Sequence, residues 1–447
     1  MIQHLSTDSQ KNLLYVYNRI WNEHYFPASW QRALIIPILK PDKDPSNPSN
    51  YRPIALTSCL CKLLEKIINH RLLYFLEVNN LLHSSQSGFR KGRSTLDNLL
   101  ALETDIRLSF LQRKHLVAIF FDIEKAYDHT WRYGILKDLF DFNMIGNLPI
   151  FIQNFLQLRK FQVRVGAELS DFYVQDEGVP QGSVLSVTLF SIKINNILHQ
   201  LPSTVKGHLY VDYLYISCTG THMNFIERQL QTAVNIIQKW SLTNGFTFSV
   251  TKTAGVHFCR KRGLHLDPEI KLDDHVIPFV SEIRFLGITF DKKLTFLPHV
   301  LHLRKRCERA LSILRVLSTT SWGADRSSML RIYRAVILPK IDYGCMIYGS
   351  ARKSVLQKLD PVHHAALRIC SGAFRTSPVK SLYVDCGEPD LTCEDKCYPC
   401  ITILKLHPSH IIRIIPFNFV HFYSGYRRLE NHLYPLFSPE YTQFYLN

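Results

Sequence analysis

The chain has 447 residues, too many for one ordinary domain, so two to four subdomains are expected. Hydrophobic residues make up 46% of it and aromatics 12%, which excludes wholesale disorder. Lys and Arg number 53 against 37 Asp and Glu, and this formal +16 suits a polyanionic partner, because neutralised phosphates release counterions. The periodicity predicts an amphipathic helix over 8–26. A strand over 33–39 (ALIIPIL) and an exposed Pro/Asp/Ser/Asn-rich loop over 41–50 follow. Helical spacing returns over 58–79 and, after a basic Gly/Ser loop, over 95–111. The apolar run 116–121 (LVAIFF) reads as a buried strand that ends in Asp122. Helices are expected over 131–142 and 148–158, a hairpin over 161–165 and 172–174, and a helix over 184–198. Residues 207–217 hold two short apolar runs with Asp212 at the bend. A helix over 223–243 and strands over 255–258 and 283–290 follow, and from about Phe296 the pattern is almost wholly helical. Arg304, Lys305, Arg306, Arg309 and Arg315 fall in the first of these helices. The order predicts a mixed α+β architecture with the chemistry on a central sheet.

No apolar leader opens the sequence, and no run reaches the ~18 apolar residues of a membrane span, so neither a signal peptide nor membrane insertion is expected. The eleven cysteines are scattered and odd in number, which reads as reduced thiols of an intracellular protein, in cytoplasm or nucleus. Cys393, Cys397 and Cys400 precede His407 and His410, but their gaps fit no common zinc pattern, and ordinary helix cysteines are the better reading.

Asp122 and Asp212 are the carboxylates that carry chemistry. A carboxylate just beyond a buried strand is costly to desolvate unless it is paired or binds metal. Two on neighbouring strands could share divalent cations, which in pairs activate a hydroxyl and stabilise a leaving oxygen. Taken alone, either aspartate is more readily a turn or cap residue. The surrounding motifs decide the matter.

Seven segments, in order, carry a resemblance. They are Trp30 to Leu39 with Asn50-Tyr51-Arg52-Pro53-Ile54-Ala55-Leu56-Thr57 and, downstream, Lys62 and Glu65-Lys66; Gln86-Ser87-Gly88-Phe89-Arg90-Lys91-Gly92-Arg93-Ser94-Thr95; and Phe121-Asp122-Ile123-Glu124-Lys125-Ala126-Tyr127-Asp128. Then come Gly178-Val179-Pro180-Gln181-Gly182-Ser183; Tyr210-Val211-Asp212; Lys252-Thr253 after Trp240; and Phe285-Leu286-Gly287. Together they resemble the reverse transcriptases of non-LTR retrotransposons, especially the arthropod jockey and I groups.

The resemblance implies a right-hand polymerase of fingers, palm and thumb with a helical C-terminal extension. Fingers and palm are expected over 30–290, the thumb over 291–390, a helical extension over 1–29 and a tail of unassigned role over 391–447. It implies an RNA template, a DNA primer or target, dNTPs and two Mg²⁺ ions, for which Mn²⁺ can substitute. Asp122, Asp212 and the Ile123 carbonyl would hold the metal. Arg52, with Lys40 or Lys43, would grip the triphosphate, since a planar fork of donors suits phosphate. Lys125, Ala126, Tyr127, Gln181 and Gly182 would line the nucleotide, with Tyr127 blocking a ribose 2′ hydroxyl. Lys252 would protonate the leaving pyrophosphate. Phe285, Leu286 and Gly287 would hold the primer, and Arg304 and Lys305 would track the duplex.

Two departures qualify the resemblance. The family has a second aspartate after Asp212, where this chain has Tyr213, a neutral phenol at pH 7. An impaired polymerase is therefore expected, with a non-catalytic nucleic-acid-binding relic as the alternative. Val187 stands where the family usually has proline. No endonuclease or ribonuclease H pattern is seen, as expected for a fragment or decayed copy of a longer polyprotein. A maturase-like or telomerase-like enzyme is disfavoured by the Phe-Asp-Ile-Glu-Lys-Ala-Tyr-Asp and Gln-Ser-Gly-Phe-Arg segments.

Overall fold

A computed structural model describes residues 4–391, except 42, 264, 320 and 321. The cysteines and histidines weighed above as a tail zinc site lie outside the described residues, as does nearly all of the expected tail.

Helix α1 (Thr7–Asn22) begins at Ser6, whose hydroxyl accepts from the Ser9 N–H. Strand β1 (Arg32–Leu39) pairs antiparallel with β2 (Tyr51–Leu56). Helices α2 (Cys59–Val78) and α3 (Thr95–Leu111) follow, the latter opened by a reciprocal Ser94–Asp97 capping box. Strand β3 (His115–Asp122) leads to α4 (Arg132–Asp141) and α5 (Asn147–Leu156). Strand β4 (Lys160–Val165) pairs with the short β5 (Glu168–Leu169) and β6 (Tyr173–Val174). Then come α6 (Val184–His199), the hairpin of β7 (Lys206–Tyr210) and β8 (Tyr213–Gly220), α7 (Met223–Asn244) and β9 (Ala254–Phe258). Two small hairpins close the strand-bearing part: β10 (Lys271–Leu272) with β11 (His275–Val276), and β12 (Glu282–Phe285) with β13 (Ile288–Asp291). From α8 (Leu297–Leu317) to Cys386 the described elements are all helical.

The central sheet has the order β7-β8-β3-β9, with every neighbour antiparallel. Strand β3 is buried from His115 to Phe121 because both of its faces are covered. Leu116, Ala118 and Phe120 enter a core with α3, the β12–β13 hairpin and α8. Val117, Ile119 and Phe121 enter a second core with residues of α6 and α7. Alternation therefore vanishes from the sequence, and a continuous apolar run results. A second sheet runs β2-β1-β4-β5, with β6 also on β4. Its β1–β4 pairing is parallel, from Arg32 opposite Lys160 to Ile35 opposite Val163.

The expected α+β order stands, with one local correction. The run 283–290, expected as one strand, is a hairpin broken at Leu286 and Gly287, whose φ values are +43° and +87°. Among the described residues, no helix is long and apolar enough to cross a membrane.

Candidate active site

Strand β3 ends in Asp122, which lies directly opposite Tyr213 on β8. Tyr213 also pairs with Tyr210 across the hairpin, so Val211 and Asp212 form its two-residue tip. Register alone thus brings the two aspartates to one end of the sheet. Val211 has φ +58°, an uncommon conformation for a β-branched residue, of the kind that costs on the order of 1–3 kcal/mol.

The segment around Gly88 holds that tip in place. The Ser87 N–H donates to the Leu209 carbonyl, and the Leu209 N–H donates to the Ser85 carbonyl, both at 3.0 Å. A Cβ on Gly88 would stand 2.6 Å from the Val211 nitrogen. Glycine is required there by close backbone approach.

Lys252 Nζ lies 2.7 Å from Asp122 Oδ2. This hydrogen bond is the first cause that raises the Lys252 ammonium above its ordinary value. Burial raises the Asp212 carboxyl above the usual carboxylate range; Asp122 adds to the rise, and Arg52 and Lys252 oppose it. The Tyr213 phenol is raised by burial and then by Asp212 and Asp122, so it is neutral at physiological pH. The Ser249 N–H donates to the Asp122 carbonyl and the Glu124 N–H to the Thr247 carbonyl, at 2.8 and 2.9 Å. Carbonyls alternate along a strand, so that of Ile123 points away from this bridge, toward the β8 side. The converging donors are hard oxygens, a set that suits Mg²⁺ better than zinc.

Arg52 is exposed on β2, forms no ion pair among the described residues, and its charge reaches Asp212 and Tyr213. Lys40 is tethered instead, its Nζ donating to the Ser49 carbonyl at 3.1 Å. Lys125, at φ +44°, opens a turn beside Asp122. Ala126 is buried, and its carbonyl accepts from Thr130 Oγ1 at 2.8 Å. Tyr127 stacks on Phe190 at 4.9 Å, and its phenol is raised by burial and then by Asp212.

The Pro-Gln-Gly turn wedges between this loop and β2. Gln181 Nε2 donates to Asp128 Oδ1 at 2.9 Å, and its carbonyl accepts from the Ala55 N–H at 2.7 Å. Gly182 has φ +125°, and a Cβ there would meet the Ala55 oxygen at 2.5 Å. The turn is fixed from below by Glu65 of α2. Its buried Oε2 accepts from the Ser183 hydroxyl and from the Val184 and Leu185 N–H groups at 2.8 and 3.3 Å. A carboxylate among the unpaired N–H groups of α6 also complements the helix dipole.

Phe285 is a core residue, packed on Phe120 and Tyr215 at 5.2 Å and edge-on to Tyr213 at 6.5 Å. The rest of its motif is the half-buried Leu286–Gly287 turn, where the Leu286 carbonyl accepts from Tyr343 Oη at 2.7 Å. On α8, Arg304 pairs with Glu308 at 2.8 Å and Lys305 is exposed; neither is in contact with the carboxylates. Four residues without an assigned role in the sequence also matter: Gly88, Asp128, Glu65 and Arg284, whose charge reaches Tyr213. Gly88, Asp128 and Glu65 lie inside segments that carried the resemblance, whereas Arg284 carries no local signal.

Residues 38–290 match the model of the family described as reverse transcriptase (RNA-dependent DNA polymerase). The chain is 32% identical over 371 residues to a probable RNA-directed DNA polymerase from transposon BS of Drosophila melanogaster, covering 80% of this chain and 40% of that protein. It is 28% identical over 412 residues to the RNA-directed DNA polymerase from mobile element jockey of the same fly, covering 90% and 44%. The chain thus spans less than half the length of these relatives. A solved telomerase from Candida albicans, in complex with a telomeric RNA fragment, aligns at 14% identity and TM-score 0.43, covering 90% of this chain and 71% of that one. With a family model matched over more than half of its length, the chain belongs to the reverse transcriptases, of the kind carried by non-LTR retrotransposons, and has their right-hand polymerase fold.

Proposed function

We propose that the chain is the polymerase part of a mobile-element enzyme, and that it extends a primer 3′ hydroxyl with dNTPs on an RNA template. The observation that carries this reading is the meeting of Asp122, Asp212 and Lys252 at one end of the central sheet, with Arg52 facing them. In it, residues 30–290 act as fingers and palm, 291–390 as the thumb, and 1–29 as an extension.

Asp122, Asp212 and the Ile123 carbonyl would hold Mg²⁺ or Mn²⁺. The chemistry that a pair of such ions would supply there is activation of the primer hydroxyl and stabilisation of the leaving pyrophosphate. Arg52 presents a guanidinium fork to the triphosphate. Tyr127, braced by Phe190, closes the space a ribose 2′ hydroxyl needs. Gln181 and Gly182 set the floor of the nucleotide site, and Lys252 Nζ, protonated, is placed to give its proton to the pyrophosphate. Leu286 and Gly287 form the turn that meets the primer, and Arg304 and Lys305 of α8 follow the duplex phosphates. Tyr213 supplies neither charge nor an anionic ligand, and losses of this kind slow such sites by orders of magnitude.

A second reading is a relic that binds nucleic acid without copying it. It is favoured by the neutral Tyr213 and by the ion pair that Lys252 makes with Asp122. Purified protein offered a primed RNA template, dNTPs and Mg²⁺ or Mn²⁺ separates the two. Extension lost in Asp122→Asn supports the enzyme. No extension by the parent, but a gain with Tyr213→Asp, supports the relic, and no extension by either protein sinks the polymerase reading.

A further inference from the structure

We propose that this protein holds a structural transition-metal ion, zinc by its donor chemistry, at the end of the central sheet away from Asp122, bound by His115, His257 and Cys259 with His265 as the fourth ligand. His115 opens β3, and the β3–β9 register sets Leu116 opposite Phe258 and Val117 opposite His257. Continued by one residue, the same ladder sets His115 opposite Cys259. His257 and Cys259 are two positions apart, so all three side chains leave one face of two adjacent strands. His115 Nδ1 and His257 Nε2 are 2.9 Å apart, and both lie within 4.8 Å of the Cys259 sulfur. Ligand atoms on a tetrahedral zinc stand roughly 3.3–3.8 Å from one another, as follows from its bond lengths. Shifts of about 1 Å would bring these three ligand atoms to that spacing.

The surroundings are built for ligation. Asp267 Oδ1 lies 3.0 Å from His257 Nδ1, the carboxylate–histidine contact that fixes the tautomer and turns Nε2 toward the cluster. The Lys261 N–H donates to the Cys259 sulfur at 3.4 Å, a bond that stabilises a thiolate. The His265 ring lies 4.9 Å from that of His115, and its Nε2 is buried with no hydrogen-bond partner among the described residues. Lys261 Nζ, 3.0 Å from His115 Nε2, stands outside the ligand set and can turn to solvent. Nitrogen and sulfur donors select a borderline-soft ion over Mg²⁺. The site is seven residues along β3 from Asp122, roughly 23 Å at strand rise, so it is separate from the polymerase carboxylates and does not depend on their function. Its role is to clamp β3, β9 and the loop after Cys259 together.

The test uses the full chain with Cys393, Cys397 and Cys400 changed to serine, which removes the tail thiols. Metal analysis after purification without chelators should find one zinc per chain. Cobalt substitution should give visible bands of tetrahedral intensity and a thiolate charge-transfer band. Cys259→Ser should abolish that charge-transfer band, and Asp267→Asn should weaken affinity about 10–100-fold. Chelation should lower the Tm of the parent and leave that of His257→Gln unchanged. A parent with no charge-transfer band overturns the proposal whatever the variants do, and so does a band that survives Cys259→Ser.

Discussion

Tyr213→Asp is expected to raise the rate of primer extension. Position 213 lies directly opposite Asp122 in the antiparallel ladder, where facing Cβ atoms are about 4.5–5.5 Å apart. A carboxylate there would stand about 5 Å from charge held by Asp122, and at an effective dielectric near 20 each unit pair at that separation is worth about 3 kcal/mol. Only the share realised in the transition state accelerates the reaction. If that share is between a third and all of it, the gain is about fivefold to 150-fold. Single-turnover extension across a Mg²⁺ titration measures it, and the variant should also saturate at lower Mg²⁺. Tyr213→Phe serves as the control, since it removes only a phenol that is already neutral. A folded Tyr213→Asp protein that extends no faster than Tyr213→Phe would refute the idea that the missing carboxylate limits the site.

Burial and Asp122 raise the folded-state pKa of Asp212, so the folded chain holds that proton more tightly than the unfolded one, and stability falls as pH rises from about 4 through the raised value. Asp212→Asn should therefore melt higher than the parent at neutral pH in EDTA, with the difference vanishing below about pH 4; equal melting at pH 7 contradicts the sign. Glu65→Ala strips a buried acceptor from Ser183, Val184 and Leu185, and at the low end of the penalty for a stranded donor, about 1–1.5 kcal/mol each, a loss of roughly 3–5 kcal/mol is expected in denaturant melts, with Glu65→Gln losing less. Gly88→Ala pushes on the Val211 backbone and should slow extension on the order of 10²-fold, as a displacement near 1 Å can do; parental kinetics would mean that the tip moves freely. Lys252→Gln removes an exposed ion pair, so stability should change by less than about 1 kcal/mol, while extension falls about 10²-fold or more if its proton matters.

What the sequence made legible followed locality. The run 116–121 reads as a strand because both faces of β3 are buried, and the helix expected over 95–111 starts where it does because Ser94 and Asp97 cap its first turn. The β10–β11 hairpin escapes reading because Asp273 and Asp274 occupy its two left-handed positions, where Asn-Gly or Asp-Gly is the usual signal. The break at Leu286 is hidden in the same way, a bulky residue taking φ +43° before Gly287. Pairings between distant segments leave no local trace: the parallel register of β1 with β4, Glu65 under the Pro-Gln-Gly turn, and His115 opposite Cys259 all depend on strands or helices a hundred or more residues apart. Asp122 and Asp212 were legible as a pair through the motifs around them, and their relation to Gly88 and Arg52 became visible only in three dimensions.

The place of β3 in the sheet has a consequence for synthesis. Its partner β9 ends at Phe258, which is 258 − 122 = 136 residues after Asp122. At ribosomal rates of about 5–20 residues per second, the apolar strand waits roughly 7–27 s for that partner to be made. Its other neighbour, β8, ends at Gly220, so for the last 258 − 220 = 38 residues of that wait, roughly 2–8 s, a β7-β8-β3 sheet can form with its Leu-Val-Ala-Ile-Phe-Phe strand unpaired on one side. Such an edge is a template for aggregation. Nascent chains of this protein should therefore lean on chaperones during that interval, and slowing translation past Asp122 should lower the soluble yield.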